Sequence, residues 1–187
     1  MSLKSAGSST ASSAARPGSA LITARGMTPQ ICQDVFIAEG ARIIADVRIG
    51  EGSSIWYNTT LRGDVMPIVI GKETNIQDGS VLHGTFGKAA CTVGDRVTIG
   101  HSVILHGCKI GSSTLIGMGS IVMDGAEIPD HCVVGAGSLV TEGKFFEPYS
   151  LIVGRPAVFK RRLNQAEIDF LEQSADNYLL YKSWYNS

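Results

Sequence analysis

Residues 110–128 run IGSSTLIGMGSIVMDGAEI. In this stretch Ile110, Ile116, Val122 and Ile128 stand six positions apart, and Gly111 and Gly117 each follow an aliphatic residue. The period continues forward through Val134 and Val140. Backward, it recurs in three series: Val93, Ile99 and Leu105; Ile70, Ile76 and Leu82; and Ile37, Ile43, Ile49, Ile55 and Leu61. A period of six is neither the 3.6 of a helix nor the 2 of a single strand, and it marks a hexapeptide β-helix.

Each hexapeptide supplies a short strand and a tight corner, and three of them close a triangular coil of about eighteen residues. The periodic aliphatic points to the axis and stacks on its equivalent one coil above, at a strand spacing of ~4.8 Å. Glycine, Asn and Asp supply corner conformations that other residues resist. The 22 glycines among 187 residues exceed the typical ~7% for this reason. An all-β solenoid is expected, left-handed as known hexapeptide helices are, an exception to right-handed crossovers.

The period breaks at residues 62–69 and again between Phe86 and Cys91, and it is one residue short between Leu105 and Ile110. Such breaks predict loops leaving the solenoid, where function often resides. Past Val140 the repeat ends, and Gly154-Arg155-Pro156-Ala157 predicts a turn leading out. Asn164 and Glu167 have the spacing of a helix cap. Ile168, Leu171, Ala175, Tyr178 and Leu179 then predict an amphipathic helix along the outside of the solenoid.

Residues 1–26 are rich in Ser and Ala and contain no Asp or Glu. They are expected to form a flexible tail, or alternatively a transit peptide. Leu21–Thr23 has the character of a short strand. The expected organisation is a tail over 1–26, a β-helix domain over 27–160 and a packed helical segment over 161–187. The net charge of −1 and the lack of a basic cluster argue against nucleic acid. No apolar run is long enough for a membrane helix. Cys32, Cys91, Cys108 and Cys132 show no Cys-x-x-Cys spacing, as expected of reduced thiols in the cytoplasm, or in mitochondria if the N-terminus is a transit peptide.

Three of the four histidines, His83, His101 and His106, fall in the most regular repeat. His83 follows the periodic Leu82 and His106 follows the periodic Leu105. If the residues from Phe86 to Cys91 loop out, these two histidines stack on one face in adjacent coils, close enough to share a metal. His101 lies two residues past Ile99, on or near a different face. It is expected to complete the site of a neighbouring chain, which a symmetric trimer would satisfy. Three His and one open position suit a catalytic metal that activates water at neutral pH. The alternative is surface histidines engaged in hydrogen bonds. His131, at a corner without a partner histidine, is expected to be structural. Arg62, Asp64, Asn75, Gln77 and Asp78 gather nearby, and a corner-forming or ion-pairing role would also explain them.

The segments Leu61-Arg62-Gly63-Asp64, Thr74 through His83, and Ile99 through Cys108 resemble the γ-carbonic anhydrase family, as do Ile116 through Ile121 and the Gly-x-Pro-Ala turn. The resemblance covers about residues 30–187. It implies a homotrimer with Zn2+, Fe2+ or Co2+ between subunits, held by His83 and His106 of one chain and His101 of the next. It also implies that Gln77 orients the attacking water, that Arg62 and Asp64 pair across the interface, and that Asn75 and Asp78 support the ligands. Tyr178 matches a tyrosine that reaches the site from the C-terminal helix. The implied reaction is hydration of CO2 to bicarbonate with a proton passed to solvent.

Two departures bear on that last step. Val65 follows Asp64, and residues 84–91 contain no Asp or Glu, where active relatives carry acidic residues. A second expectation is therefore a metal-binding trimer with little anhydrase activity, acting as a thioesterase, as an acyltransferase of related fold or as a non-catalytic assembly subunit.

Overall fold

The computed structural model describes residues 20–185. The tail expected over 1–26 lies outside the described residues up to position 19. Beyond it, Leu21–Ile22 is already a strand, pairing in parallel with Ile43 and Ile44. The chain forms a parallel β-solenoid with one C-terminal helix, as expected of a left-handed hexapeptide β-helix.

Three columns of side chains fill the axis. Leu61, Leu82, Leu105, Val122 and Val140 stack on one face through register-matched strands. Ile70, Val93, Ile110 and Ile128 stack on the second. Ile55, Ile76, Ile99, Ile116, Val134 and Ile152 stack on the third. All are buried, and each such side chain contributes roughly 1.5–3 kcal/mol of hydrophobic stabilisation. One corner column is Asn58, Gly79, Ser102, Gly119 and Gly137, all with φ between 56° and 69°. Gly and Asn tolerate this left-handed conformation best.

The first break in the period is not a loop. Residues 60–70 form one eleven-residue strand that turns from the first face onto the second. It stays paired with Arg42–Ile49, and the extra residues are absorbed by a register shift between Ala45 and Val47. Gly63 permits this, because a Cβ there would lie 2.3 Å from the Asp46 carbonyl oxygen. The second break does leave the solenoid, as a hairpin closed by Thr85 and Ala89.

At the far end Ser150–Gly154 and Ala157–Arg162 form an antiparallel hairpin, so the Gly-Arg-Pro-Ala turn reverses the chain. Helix α1 (Gln165–Ser183) then starts at a capping box, with Asn164 accepting from the Glu167 N–H and Glu167 accepting from the Asn164 N–H. Leu171 and Ala175 are buried beneath it. Arg96 ties the helix to the solenoid through Glu73, Glu172 and Asp176. Among the described residues no helix is long and apolar enough to cross a membrane.

Candidate metal centre

His83 ends the strand Val81–His83 and His106 ends Ile104–His106. The two are register partners in adjacent coils, because the intervening excursion loops out. Their ring centroids are 5.3 Å apart, and His83 Nδ1 lies 3.3 Å from His106 Nε2.

A carboxylate stands behind each ring. His83 Nε2 is 3.1 Å from Asp64 Oδ1, and Arg62 Nη1 donates to both Asp64 oxygens at 2.8 and 3.0 Å. Arg62 and Asp64 thus pair within one chain. His106 Nδ1 is 2.7 Å from Asp124 Oδ1, and Asp124 Oδ2 accepts from Thr85 Oγ1 at 2.6 Å. Burial alone would raise both carboxyl pKa values. Hydrogen bonds from Arg62 and His83 at Asp64, and from Thr85 and His106 at Asp124, outweigh it and hold both below the usual range.

Ionised carboxylates only accept, so each neutral ring keeps its proton on the nitrogen facing the carboxylate. The two remaining nitrogens, His83 Nδ1 and His106 Nε2, are then bare lone pairs aimed at each other. Two lone pairs at 3.3 Å repel unless a cation or a proton lies between them. Two nitrogens at ~2.0–2.1 Å from one tetrahedral ion lie about 3.3–3.4 Å apart. The pair therefore fits two ligand positions of a divalent metal, with carboxylates fixing the rings from behind.

His101 stands apart from this pair, at the corner after Thr98–Ile99, with Nδ1 3.0 Å from Asp78 Oδ2. Among the described residues no three His, Cys, Asp or Glu side chains converge to hold a metal within one chain. Gln77 and Asn75 are buried beside the His101 corner. Gln77 Nε2 donates to Asn75 Oδ1 at 3.1 Å, Asn75 Nδ2 donates to Thr98 Oγ1 at 3.0 Å, and Thr98 bonds Ser174 of α1 at 2.9 Å. Tyr178 packs its ring on Trp56 and Tyr181. Burial first, and then the charge of Asp78, push its phenol up to about 12, so it remains a hydrogen-bond donor at neutral pH. His131 stacks on Tyr149 at 4.9 Å, away from the pair.

The sequence reading missed Asp124. Its signal was spacing, since it follows His106 by eighteen residues, one residue past a full coil at this level. Asp64 precedes His83 by nineteen. Asp78 precedes His101 by twenty-three, one coil plus the five-residue excursion. Each of the three histidines therefore has an acidic partner one coil away.

A family model described as bacterial transferase hexapeptide (six repeats) matches residues 28–63 and 107–142. The chain is 45% identical over 163 residues to the "Carbonic anhydrase" of Geobacillus kaustophilus, covering 87% of this chain and 89% of that one. It is 43% identical over 157 residues to "Gamma carbonic anhydrase 2, mitochondrial" of Arabidopsis thaliana, covering 81% of this chain and 56% of the plant protein. The chain thus spans little more than half the length of that relative. Among solved structures, a hexapeptide transferase family protein from Anaplasma phagocytophilum superposes with a TM-score of 0.84 at 47% identity, over 88% of this chain and 97% of that one.

Proposed function

The chain belongs to the γ-carbonic anhydrase family, and from that premise we propose that it is a metal-dependent lyase interconverting CO2 and bicarbonate at sites shared between the subunits of a homotrimer. The observation that carries this reading is the approach of His83 Nδ1 to within 3.3 Å of His106 Nε2, with a carboxylate against the far nitrogen of each ring. His101 of a neighbouring chain would supply the third ligand. A zinc, ferrous or cobalt ion held there supplies Lewis acidity, which makes water a nucleophile near neutral pH.

The protein's own groups orient and shield. Asp64 and Asp124 keep the ring lone pairs directed inward. The bond from Gln77 to Asn75 fixes the Gln77 amide and leaves its oxygen to accept from a water or bicarbonate hydroxyl. Tyr178, its phenol kept protonated by burial and by the charge of Asp78, would be a further donor if its hydroxyl reaches that site.

The outward residues support a ring of three chains. Val81, Ile104, Ile121 and Leu139 form a register-matched aliphatic ladder on the face bearing His83 and His106. Val81 is 39% and Ile104 40% exposed. Leu115, Val133 and Leu151 form a second ladder on the third face, beside the His101 corner. The remaining face carries Thr92, Lys109 and Glu127 instead. Two different apolar faces on one chain favour a head-to-tail contact, which closes when the rotation allows a ring. Such a contact would carry His101, Gln77 and Asp78 to the neighbour's His83 and His106.

One observation favours acyl or thioester chemistry as a second reading. A groove of about 340 Å³ beside Gln77 presents the outward side chains of Leu115, Met118 and Val133, an apolar volume that would suit an acyl chain. The trimer contact would cover these same residues, so the two readings compete for one surface.

The deciding experiment is stopped-flow CO2 hydration by protein purified anaerobically and loaded with Zn2+ or Fe2+, with H106A as control. Activity that tracks metal content and vanishes in H106A supports the lyase. Stoichiometric metal without hydration, together with turnover of an acyl thioester, would move the assignment to the second reading. Metal without either activity would leave a binding or assembly role.

A further inference from the structure

The hairpin over residues 84–90 reaches from the His83 strand to the carboxylate behind His106. Thr85 N–H donates to the Ala89 carbonyl at 2.9 Å and Ala89 N–H returns a bond at 3.0 Å, with Gly87 at the tip at φ +65°. Thr85 Oγ1 donates to Asp124 Oδ2 at 2.6 Å, while Asp124 Oδ1 accepts from His106 Nδ1–H at 2.7 Å. Both carboxylate oxygens are therefore held, one by the hairpin and one by the imidazole. Gly107 leaves the room this needs. A Cβ there would lie 2.4 Å from Asp124 Oδ1 and 2.7 Å from Ala89 Cβ.

We propose that the hairpin is a clamp that sets the metal affinity of the site, with Asp124 and Thr85 as positioning residues that act through His106 on a bound divalent cation. The inference rests on the reading of His83 and His106 as metal ligands. A carboxylate bonded at one oxygen can still rotate about its terminal bond and let the imidazole turn with it. The Thr85 hydroxyl removes that freedom, and the Asp124 carboxylate charge facing Nδ1–H makes Nε2 a better donor to the metal. The Asp124 side chain is only 13% exposed, so these bonds are shielded from water, whereas Lys88 Nζ, 3.7 Å from Asp124 Oδ2, is on a side chain 55% exposed. Solvent screening makes the lysine a minor contributor beside the threonine.

The test is Co2+ binding to the full chain, by competition with a chromophoric chelator and by the visible spectrum of the bound ion. D124N is expected to bind about 10–100-fold more weakly. T85V is expected to lose about tenfold, T85S to recover wild-type affinity, and K88M to stay within about twofold. Thermal melts of each variant separate lost affinity from lost fold. If D124N and T85V bind like the wild type with the same spectrum, the clamp is overturned and the metal site stands. If T85S fails to rescue, the role of the Thr85 hydroxyl is overturned. If the wild type itself binds no Co2+, the reading of the two histidines falls and the clamp with it.

Discussion

His83 Nδ1 and His106 Nε2 face each other across 3.3 Å because a carboxylate one coil away holds the far nitrogen of each ring. The solenoid generates this arrangement without a designed loop. Adjacent coils place equivalent residues one strand spacing apart, so two histidines at equivalent positions meet side by side. Asp64, on the long strand one coil below, and Asp124, at the corner one coil above, then reach their outer edges.

The tautomers follow from those partners. In metal-free protein the neutral His83 ring is expected to carry its proton on Nε2 and the neutral His106 ring on Nδ1. Nitrogen-15 NMR of histidine-labelled protein reads this directly. A proton found on His83 Nδ1 or on His106 Nε2 would mean that the two lone pairs do not meet, and the case for a shared ion would lose its basis.

Helix α1 is secured at its far end by one buried cation. Lys182 Nζ donates to Asp34 Oδ2, to the Asp34 carbonyl and to the Gly52 carbonyl, each at 2.8 Å. K182A leaves these acceptors without the ammonium and should destabilise the fold by about 1–3 kcal/mol, with the partly exposed Asp34 recovering some of the loss through water. Chemical denaturation measures the change. A midpoint within error of wild type would show that α1 docks without a contribution from Lys182, through its apolar face and the Arg96 and Ser174 contacts.

The near end of α1 has a pH dependence of known sign. Arg161 first, and then the Asn164 N–H, hold the Glu167 carboxyl at about 2 against an ordinary 4.5. Its folded pKa is lowered, so its contribution is present above about pH 4.5 and is lost as the pH falls toward about 2. The melting temperature of E167Q should therefore lie below wild type at neutral pH and converge with it near pH 2. A difference that persists unchanged at the acid end would assign the effect to side-chain shape instead of charge.

The axial columns were legible in the sequence because the inward position recurs at a fixed spacing and tolerates only aliphatics. Leu82 and Leu105 gave the register of His83 and His106 in this way. The continuous strand through residues 62–69 was not legible. Its extra residues remain paired only because Arg42–Ile49, one coil earlier, shifts register to accept them, and that partner shows no local signature. Asp124 was passed over because an Asp before a Gly at a corner resembles any turn former. Only the eighteen-residue separation from His106 distinguishes it.

The outward ladder separates a ring of chains from a lone solenoid. Ile121 sits between Ile104 and Leu139 in register on the His83 and His106 face, and its side chain points away from the axis, so the core does not depend on it. I121D places a charge at the centre of the proposed contact, where it would have to be buried without a partner. Sedimentation equilibrium should show the wild type at three times the mass of the chain and I121D as a monomer with the same β-rich circular dichroism. Because His101 would then have no neighbour to serve, metal affinity in I121D should fall with the loss of assembly while His83 and His106 remain in place. A trimeric I121D with full metal affinity would locate the contact on another face. A monomeric wild type that nonetheless binds metal tightly would require a third ligand from within the same chain.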